Sequence, residues 1–128
     1  MKATTNHPDF TPRELDVMSV LWERGSGTVA EVHERLAADL AYTTVLTVLR
    51  TLEQKGAVRH EEEGRAYRFF PVVQRDVAGR RALRRIREKI FGGSGDLLLT
   101  QFAGDRDLSP DDLRKLRRLI DRRLEDEE

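Results

Sequence analysis

The chain contains no cysteine and only three histidines among its 128 residues. The lack of cysteine excludes disulfides, thiolate metal ligands and cysteine nucleophiles, and it favours a reducing, cytoplasmic location. Because a closed metal site needs three or four ligands, the scattered His7, His33 and His60 are expected to be surface or half-buried residues. The sequence therefore predicts no metal site and no cofactor.

Long apolar runs and catalytic motifs are also absent. No stretch approaches the roughly 20 apolar residues of a membrane-spanning helix, and the N-terminus lacks the pattern of a signal peptide. There is no nucleophile–base pair, phosphate-binding glycine loop or carboxylate cluster, so an enzyme is the least favoured class. With 38% hydrophobic and 36% charged residues, the chain is expected to form one compact unit, or a small domain with an appendage. Insertion into a membrane is not expected.

An excess of charge of one sign is missing as well, because Lys and Arg number 23 and so do Asp and Glu. This balance counts at first against a nucleic-acid partner. Affinity for phosphate depends, however, on where the cations lie, since each neutralised phosphate releases counterions locally. Binding to DNA would then depend on geometry and dimerisation more than on net charge.

Residues 41–56 predict a helix with two different faces. At about 100° per residue, aliphatic side chains fall on one side and hydroxyl, guanidinium and amide groups on the other. The apolar side consists of Val45, Val48, Leu49 and Leu52, and the polar side consists of Thr43, Thr47, Arg50 and Gln54. Threonine is a mediocre helix former, so a merely solvated face would favour other residues. Short hydroxyls, methyls and one guanidinium suit a helix in the DNA major groove.

Six residues are the candidate DNA contacts. They are Tyr42, Thr43, Thr44, Thr47, Arg50 and Arg65. Arg50 is expected to make the strongest single contact, of order 1–3 kcal/mol if it is bidentate to guanine. The threonines offer methyl packing and hydroxyl bonds to phosphate near the helix N-terminus, where the helix dipole also favours an anion. Thr44 lies nearer the flank of the helix.

Local capping signals mark the other helices of this first region. After ten residues expected to be loose, 1–10, Thr11-Pro12-Arg13-Glu14 forms a capping box with proline at the first helical position. A second capping box, Thr28 to Glu31, opens a short helix, and Lys55-Gly56 ends the third. Three successive helices are therefore predicted.

The pattern then changes from helical to alternating. Residues 57–60 and 66–70 predict two strands, joined by the polar segment 61–65. A hairpin after three helices is typical of the winged-helix variant of the helix-turn-helix. Because the glutamates of the joining segment repel phosphate, a contact from this wing is expected from Arg65 or from the backbone of Gly64.

The rest of the chain predicts helices with no core of their own. A helix is expected from about 73 to 91, then an apolar segment at 96–102 and a last helix capped by Ser109. The basic residues between Arg75 and Lys89 suit a solvated face, with a flank that steers DNA as the alternative. Apolar stripes without a core favour a homodimer. The expected dimerisation residues are Leu83, Ile86, Ile90, Leu97, Leu98, Leu113, Leu116 and Ile120.

The fold class is thus mainly α with a small β-hairpin: a winged helix-turn-helix at residues 11–72, followed by a helical dimerisation region at 73–128. From Thr11 to about Arg123 the chain resembles the penicillinase-repressor family (BlaI/MecI type) of winged-helix transcriptional regulators. The resemblance rests on residues 15–22, 42–49, Lys55-Gly56, 91–93, 97–102 and Leu108-Ser109. It implies a dimeric repressor that covers a palindromic DNA operator.

The resemblance also implies a route of inactivation. In this family, sensing of β-lactams by a membrane protease-receptor leads to cleavage of the repressor at a bond that aligns with Gln101-Phe102; the members best known for cleavage carry asparagine at the first position. A copper-responsive branch uses cysteines near the C-terminus, and this chain has none. The inducing signal stays open. The competing interpretation is a winged-helix protein-interaction module, since fold alone does not fix function.

Overall fold

The computed structural model describes residues 9–36 and 39–127. Its elements are α1 Pro12–Arg24, β1 Gly27–Thr28, α2 Val29–Arg35, α3 Tyr42–Gln54, β2 Val58–Glu63, β3 Ala66–Pro71, α4 Arg75–Lys89, α5 Gly95–Ala103 and α6 Pro110–Glu127. The strands form one antiparallel sheet in the order β1-β3-β2. The mainly helical fold with a small β-hairpin is confirmed.

Both predicted capping boxes are present. The Oγ1 atom of Thr11 accepts a hydrogen bond from the amide of Glu14, and the carboxylate of Glu14 accepts one from the amide of Thr11. Thr28 and Glu31 make the same reciprocal pair at the start of α2. Each box satisfies two amides that have no partner within the helix. Gly25, at φ 91°, ends α1 in the left-handed conformation that glycine tolerates best.

The core lies between the three helices and the hairpin. Its largest fully buried side chains are Val17, Met18, Leu21, Val32, Val45, Leu49, Leu52 and Phe69. Burial of one such side chain stabilises the fold by about 1.5–3 kcal/mol. Three of them, Val45, Leu49 and Leu52, come from α3, and Val48 is half-buried beside them. This packing determines which side of α3 points outward.

The hairpin differs from the expected one at its turn. β2 continues to Glu63, so residues 61–63 belong to a strand and not to a connecting loop. Only Gly64 and Arg65 connect the strands, and Gly64 has the positive φ of 62° that two-residue hairpin turns require. Pairing across the hairpin outweighs the low strand preference of glutamate. The two-residue β1, which pairs with β3 at Arg68 and Phe69, was too short to predict.

The remaining helices also differ in their ends. α4 begins at Arg75 and not at Val73, whose carbonyl accepts a hydrogen bond from Nε1 of Trp22 at 2.9 Å. The apolar segment 96–102 is helical and lies within α5, capped by Ser94. α6 starts with the predicted serine cap, Ser109, and continues through Glu127.

Two compact units divide the chain within α4, one ending at Leu83 and the other beginning at Arg84. No residue of α4, α5 or α6 that the structure describes is buried. None of the described helices is both long and apolar enough to span a bilayer. Of the N-terminal segment expected to be loose, residues 1–8 lie outside the described residues, and Phe10 packs edge-on against Trp22.

Candidate nucleic-acid interface

The polar side of α3 is exposed along its length. Its outward face consists of Thr43, Thr47, Arg50 and Gln54, which are all exposed opposite the buried aliphatic side. Thr44 is exposed on the flank. Tyr42, 49% exposed, begins the helix on another side, where its ring packs edge-on against His33. The structure therefore brings three of the expected contacts onto one open surface, with Tyr42 and Thr44 beside it.

Thr47 uses its hydroxyl within the helix. Its Oγ1 donates a hydrogen bond to the carbonyl of Thr43, four residues earlier, at 3.0 Å. While that bond holds, the hydroxyl cannot donate to a phosphate oxygen, but it can still accept a bond, and the methyl group stays free. This geometry favours contact with a base edge or a thymine methyl over the expected bond to phosphate.

Two candidate cations have no hydrogen-bond or ion-pair partner among the described residues. Arg50 on the outward face and Arg65 in the hairpin turn make no hydrogen bond or ion pair with any residue of the described ranges 9–36 and 39–127. A guanidinium that is not already paired can bind guanine or phosphate without first breaking a contact.

The N-terminus of α3 suits an anion. Ala41 occupies the N-cap position and supplies no side-chain acceptor, and the first turn contains no carboxylate. The first amides and the positive end of the helix dipole are therefore not neutralised by an acidic or hydroxyl cap. Such an end attracts phosphate when the rest of the helix enters a groove.

Contacts at both ends hold α3 in place. At the start, Nε2 of His33 lies 2.6 Å from the carbonyl of Leu40, close enough for a hydrogen bond. At the end, Nζ of Lys55 lies 2.7 Å from the carboxylate of Glu14, which is buried at the start of α1. Burial raises the pKa of Glu14, but the hydrogen bonds from Lys55 and Thr11 outweigh it and leave that pKa below its usual value.

The wing, defined here as β2, β3 and the Gly64–Arg65 turn, is less acidic than its sequence suggests. Glu61 pairs with Arg59, and Glu63 pairs with Arg68. The hydrogen bond from Arg68 lowers the pKa of Glu63 despite some desolvation, so this carboxylate is charged and neutralised by its partner. The expected repulsion of phosphate is thereby reduced beside the exposed Arg65.

His60 connects α3 to the wing, a contact that sequence reasoning missed. Its Nδ1 lies 2.6 Å from Oε2 of Glu53 on α3, and its ring lies 4.4 Å from that of Tyr67. The pair forms only because the chain reverses at Gly56, so its spacing in sequence gives no signal. Neither His60 nor His33 belongs to a cluster of metal-ligand side chains in the described part of the chain.

The helices after the wing expose many apolar side chains. Of the expected dimerisation residues, Leu83, Ile86, Ile90, Leu97, Leu113 and Ile120 are exposed, and Leu98 and Leu116 are half-buried. Leu99, Leu119 and Leu124 are further exposed leucines of α5 and α6. Gln101 and Phe102, at the candidate cleavage bond, are exposed near the end of α5.

A family model described as penicillinase repressor matches residues 10–122. A transcriptional regulator BlaI of Mycobacterium tuberculosis is 51% identical over 71 residues, which are 52% of this chain and 51% of that protein, so the match spans about half the length of this relative. A penicillinase repressor of Bacillus licheniformis is 24% identical over 116 residues, covering 89% of this chain and 91% of that protein.

Two solved structures are similar over about half of the chain. The solution structure of the DNA-binding domain of the repressor BlaI matches with a TM-score of 0.51 and 31% identity, covering 56% of this chain and 90% of that one. The monomeric form of Bacillus licheniformis BlaI in complex with the blaP half-operator matches with a TM-score of 0.50 and the same identity and coverage. These matches confirm the winged-helix fold and the resemblance found in the sequence.

Proposed function

The chain belongs to the penicillinase repressor family, whose members are transcriptional repressors and not enzymes, and we propose that it is a homodimeric repressor that binds a palindromic DNA operator. The observation that carries the proposal is the outward face of α3. Thr43, Thr47 and Arg50 lie together on an exposed surface, and Arg50 has no partner in the described residues. Threonine lowers helix stability, so a surface built from it favours a role in binding a ligand over simple solvation.

In this proposal α3 lies in the major groove. Arg50 and Thr47 contact base edges, while the amides at the N-terminus of α3 and Thr43 lie near the phosphate backbone. The wing brings Arg65 to the backbone beside the groove. The likeness to BlaI in complex with a half-operator supports this arrangement, because that structure, solved with DNA, is 31% identical to this chain over the matched part.

A second copy of the chain is the proposed partner of α4, α5 and α6. Isolated helices with exposed leucines and isoleucines gain stability when those side chains are buried against an identical set. Two winged helices held together would cover two half-sites, and binding both at once raises the affinity above that of either alone.

Proteolysis in the dimerisation region is the proposed route of inactivation, through a membrane sensor-protease pathway. The Gln101–Phe102 bond lies near the end of α5, and both side chains are exposed. Proteases bind their substrates in extended form, so cleavage requires that the last turn of α5 unwinds. Cutting here would separate α6 from the winged helix and weaken the dimer.

Selection of genomic fragments by the purified full chain tests the proposal. We expect recovered fragments to share an inverted repeat, with half-sites spaced by about one or two turns of the double helix. Recovery of fragments without a common motif would contradict sequence-specific repression.

A salt titration separates DNA binding from the alternative, a winged-helix protein-interaction module, which the balanced charge favours. If each half-site contacts several phosphates, log K should fall linearly with log salt, with a slope of about −0.9 for every phosphate neutralised. A docking surface for protein, held by apolar contacts, should show no such slope. Binding to DNA that is insensitive to salt would count against the proposed contacts.

A further inference from the structure

Arg68 lies in the central strand β3, near the tip of the wing. It contacts the end of β2 on one side and the start of α2 on the other. Its Nε and Nη2 donate to the two carboxylate oxygens of Glu63 at 2.8 and 2.9 Å. Its Nη1 donates to Oε1 of Glu31 at 3.0 Å and to Oγ of Ser26 at 3.1 Å. Arg68 thus joins the last residue of β2 to the first turn of α2.

Glu31 is itself held from two other directions. It accepts a hydrogen bond from the amide of Thr28 in the capping box, and Nη2 of Arg24 lies 3.2 Å from its Oε1. The hydrogen bonds from Thr28 and from Arg68 lower the pKa of Glu31, so it is ionised at neutral pH. Arg68 therefore binds a carboxylate, that of Glu31, whose position is already set by other contacts.

Apart from the stacking of Tyr67 on His60, the tip of the wing has little apolar packing to orient it. Phe69 is the last buried residue of β3 toward the turn, and Ala66 and Tyr67 are exposed beyond it. A two-stranded hairpin without a packed face is marginally stable. The direction of the wing tip therefore depends on polar contacts. Glu63, which accepts two hydrogen bonds from Arg68, immediately precedes the Gly64–Arg65 turn.

We propose that Arg68 is a positioning residue: it holds the wing against the start of α2 so that Arg65 reaches the DNA backbone. The inference rests on the proposed function and adds to it a residue that does not touch DNA. It differs from simple neutralisation of Glu63, because neutralisation needs a nearby charge while positioning needs the bidentate geometry that only arginine supplies.

A double-mutant cycle on the full chain measures this role. In the native background Arg65→Ala should weaken operator binding about tenfold, as expected for one charge-assisted contact. In an Arg68→Gln or Arg68→Lys background the same change should cost less than about twofold. Arg59→Gln is the matched control, because Arg59 also pairs with a wing glutamate but makes no hydrogen bond or ion pair with the described residues of α2; there the Arg65→Ala cost should stay about tenfold.

Glu63→Gln distinguishes positioning from neutralisation. It removes a negative charge beside Arg65, so neutralisation alone predicts equal or tighter binding with the Arg65→Ala cost unchanged. Positioning predicts that this cost falls below about twofold, as in Arg68→Gln. Retention of the full Arg65→Ala cost in Arg68→Lys, Arg68→Gln and Glu63→Gln would overturn the inference.

Hydrogen exchange of the free protein supplies a readout that does not need DNA. Amides of residues 63–66 should exchange faster in Arg68→Lys, while those of the core residues on α1 and α3 stay as in the native chain. Unchanged exchange at the turn would contradict the inference. If Arg65→Ala costs nothing even in the native background, the inference fails while binding through α3 still stands; if the native chain binds no operator, the proposed function fails.

Discussion

Thr47 lies in the outward face of α3, with its hydroxyl turned back onto the carbonyl of Thr43. Replacing it by glutamate would place a carboxylate against the edge of a base or a phosphate. Repulsion of this kind costs several kcal/mol, so Thr47→Glu should weaken operator binding at least about 100-fold in a gel-shift titration. Glutamate is the better helix former, and the thermal unfolding midpoint should not fall.

Thr100→Glu is the control for that change. Thr100 is also an exposed helical threonine, and its Oγ1 donates to the carbonyl of Asp96 at 2.9 Å, the same bond that Thr47 makes. The control adds the same charge and loses the same bond, so affinity should change less than about threefold provided the oligomeric state, checked by sedimentation, is unchanged. Equal losses in both variants would mean that the outward face of α3 has no special role.

Individual residues show what periodicity can and cannot predict. The exposure of Arg50 and the burial of Leu49 follow from helical spacing alone, because the two faces of a helix are defined within a few residues. The contact between Arg68 and Glu31 joins residues 37 positions apart. No local pattern encodes such a pair, since it forms only when β3 and α2 have been brought together.

Helix starts that are marked by a capping box were predicted more accurately than strand ends. Capping boxes lie within four residues, so the starts of α1 and α2 could be read directly from Thr11 and Thr28. The end of β2 depends on partners across the hairpin, including the register that sets Glu61 against Arg68. The glutamates therefore read as a loop in sequence although they are paired in the structure.

The link between α1 and α3 predicts a dependence of stability on pH. The pKa of Glu14 is lowered on folding, so its ion pair with Lys55 stabilises the protein above the pKa of an unfolded glutamate, about 4.3, and is lost as the pH falls through the folded-state pKa. Glu14→Gln keeps a capping side chain but removes the ion pair. At pH 7 it should lower the free energy of unfolding by about 1–3 kcal/mol.

Urea denaturation across pH gives the measurement. The difference between Glu14→Gln and the native chain should shrink at acidic pH, where the native carboxyl is protonated as well. Glu23→Gln, at an exposed position on the same helix, should differ from the native chain by less than about 0.5 kcal/mol at every pH. A gap for Glu14→Gln that persists below the folded-state pKa would show that packing, and not the ion pair, is responsible.

For the whole molecule, the apolar surface of α4, α5 and α6 is the feature that a single copy leaves unexplained. Ile90, directly after α4, is 70% exposed and Leu99 67%, and no described residue of these helices is buried. Sequence periodicity placed most of these side chains on apolar stripes, and in the structure they are exposed or half-buried. Periodicity does not indicate which of them would contact a second copy in the proposed dimer, because that depends on how two copies fit together.

A dimer built on these helices should dissociate when charge is placed in its apolar stripes. Ile86 on α4 is 39% exposed, and Leu116 on α6 is half-buried. Ile86→Asp combined with Leu116→Asp would bury two unpaired carboxylates in each copy, at a cost that exceeds what a small interface supplies. Sedimentation equilibrium should then show monomers at concentrations where the native chain is dimeric, and affinity for a two-half-site operator should fall by about 100-fold or more because the two half-sites are no longer bound as a unit.

Arg84→Asp combined with Arg118→Asp places the same side chain on the charged sides of the same two helices, and it should leave the dimer intact. Affinity of the Ile86→Asp, Leu116→Asp variant for a single half-site should remain near the native value, because the winged helix carries that contact. An intact dimer in the Ile86→Asp, Leu116→Asp variant would show that the two copies meet elsewhere. Loss of half-site binding in the same variant would show that α4 and α6 affect the winged helix directly and not through dimerisation.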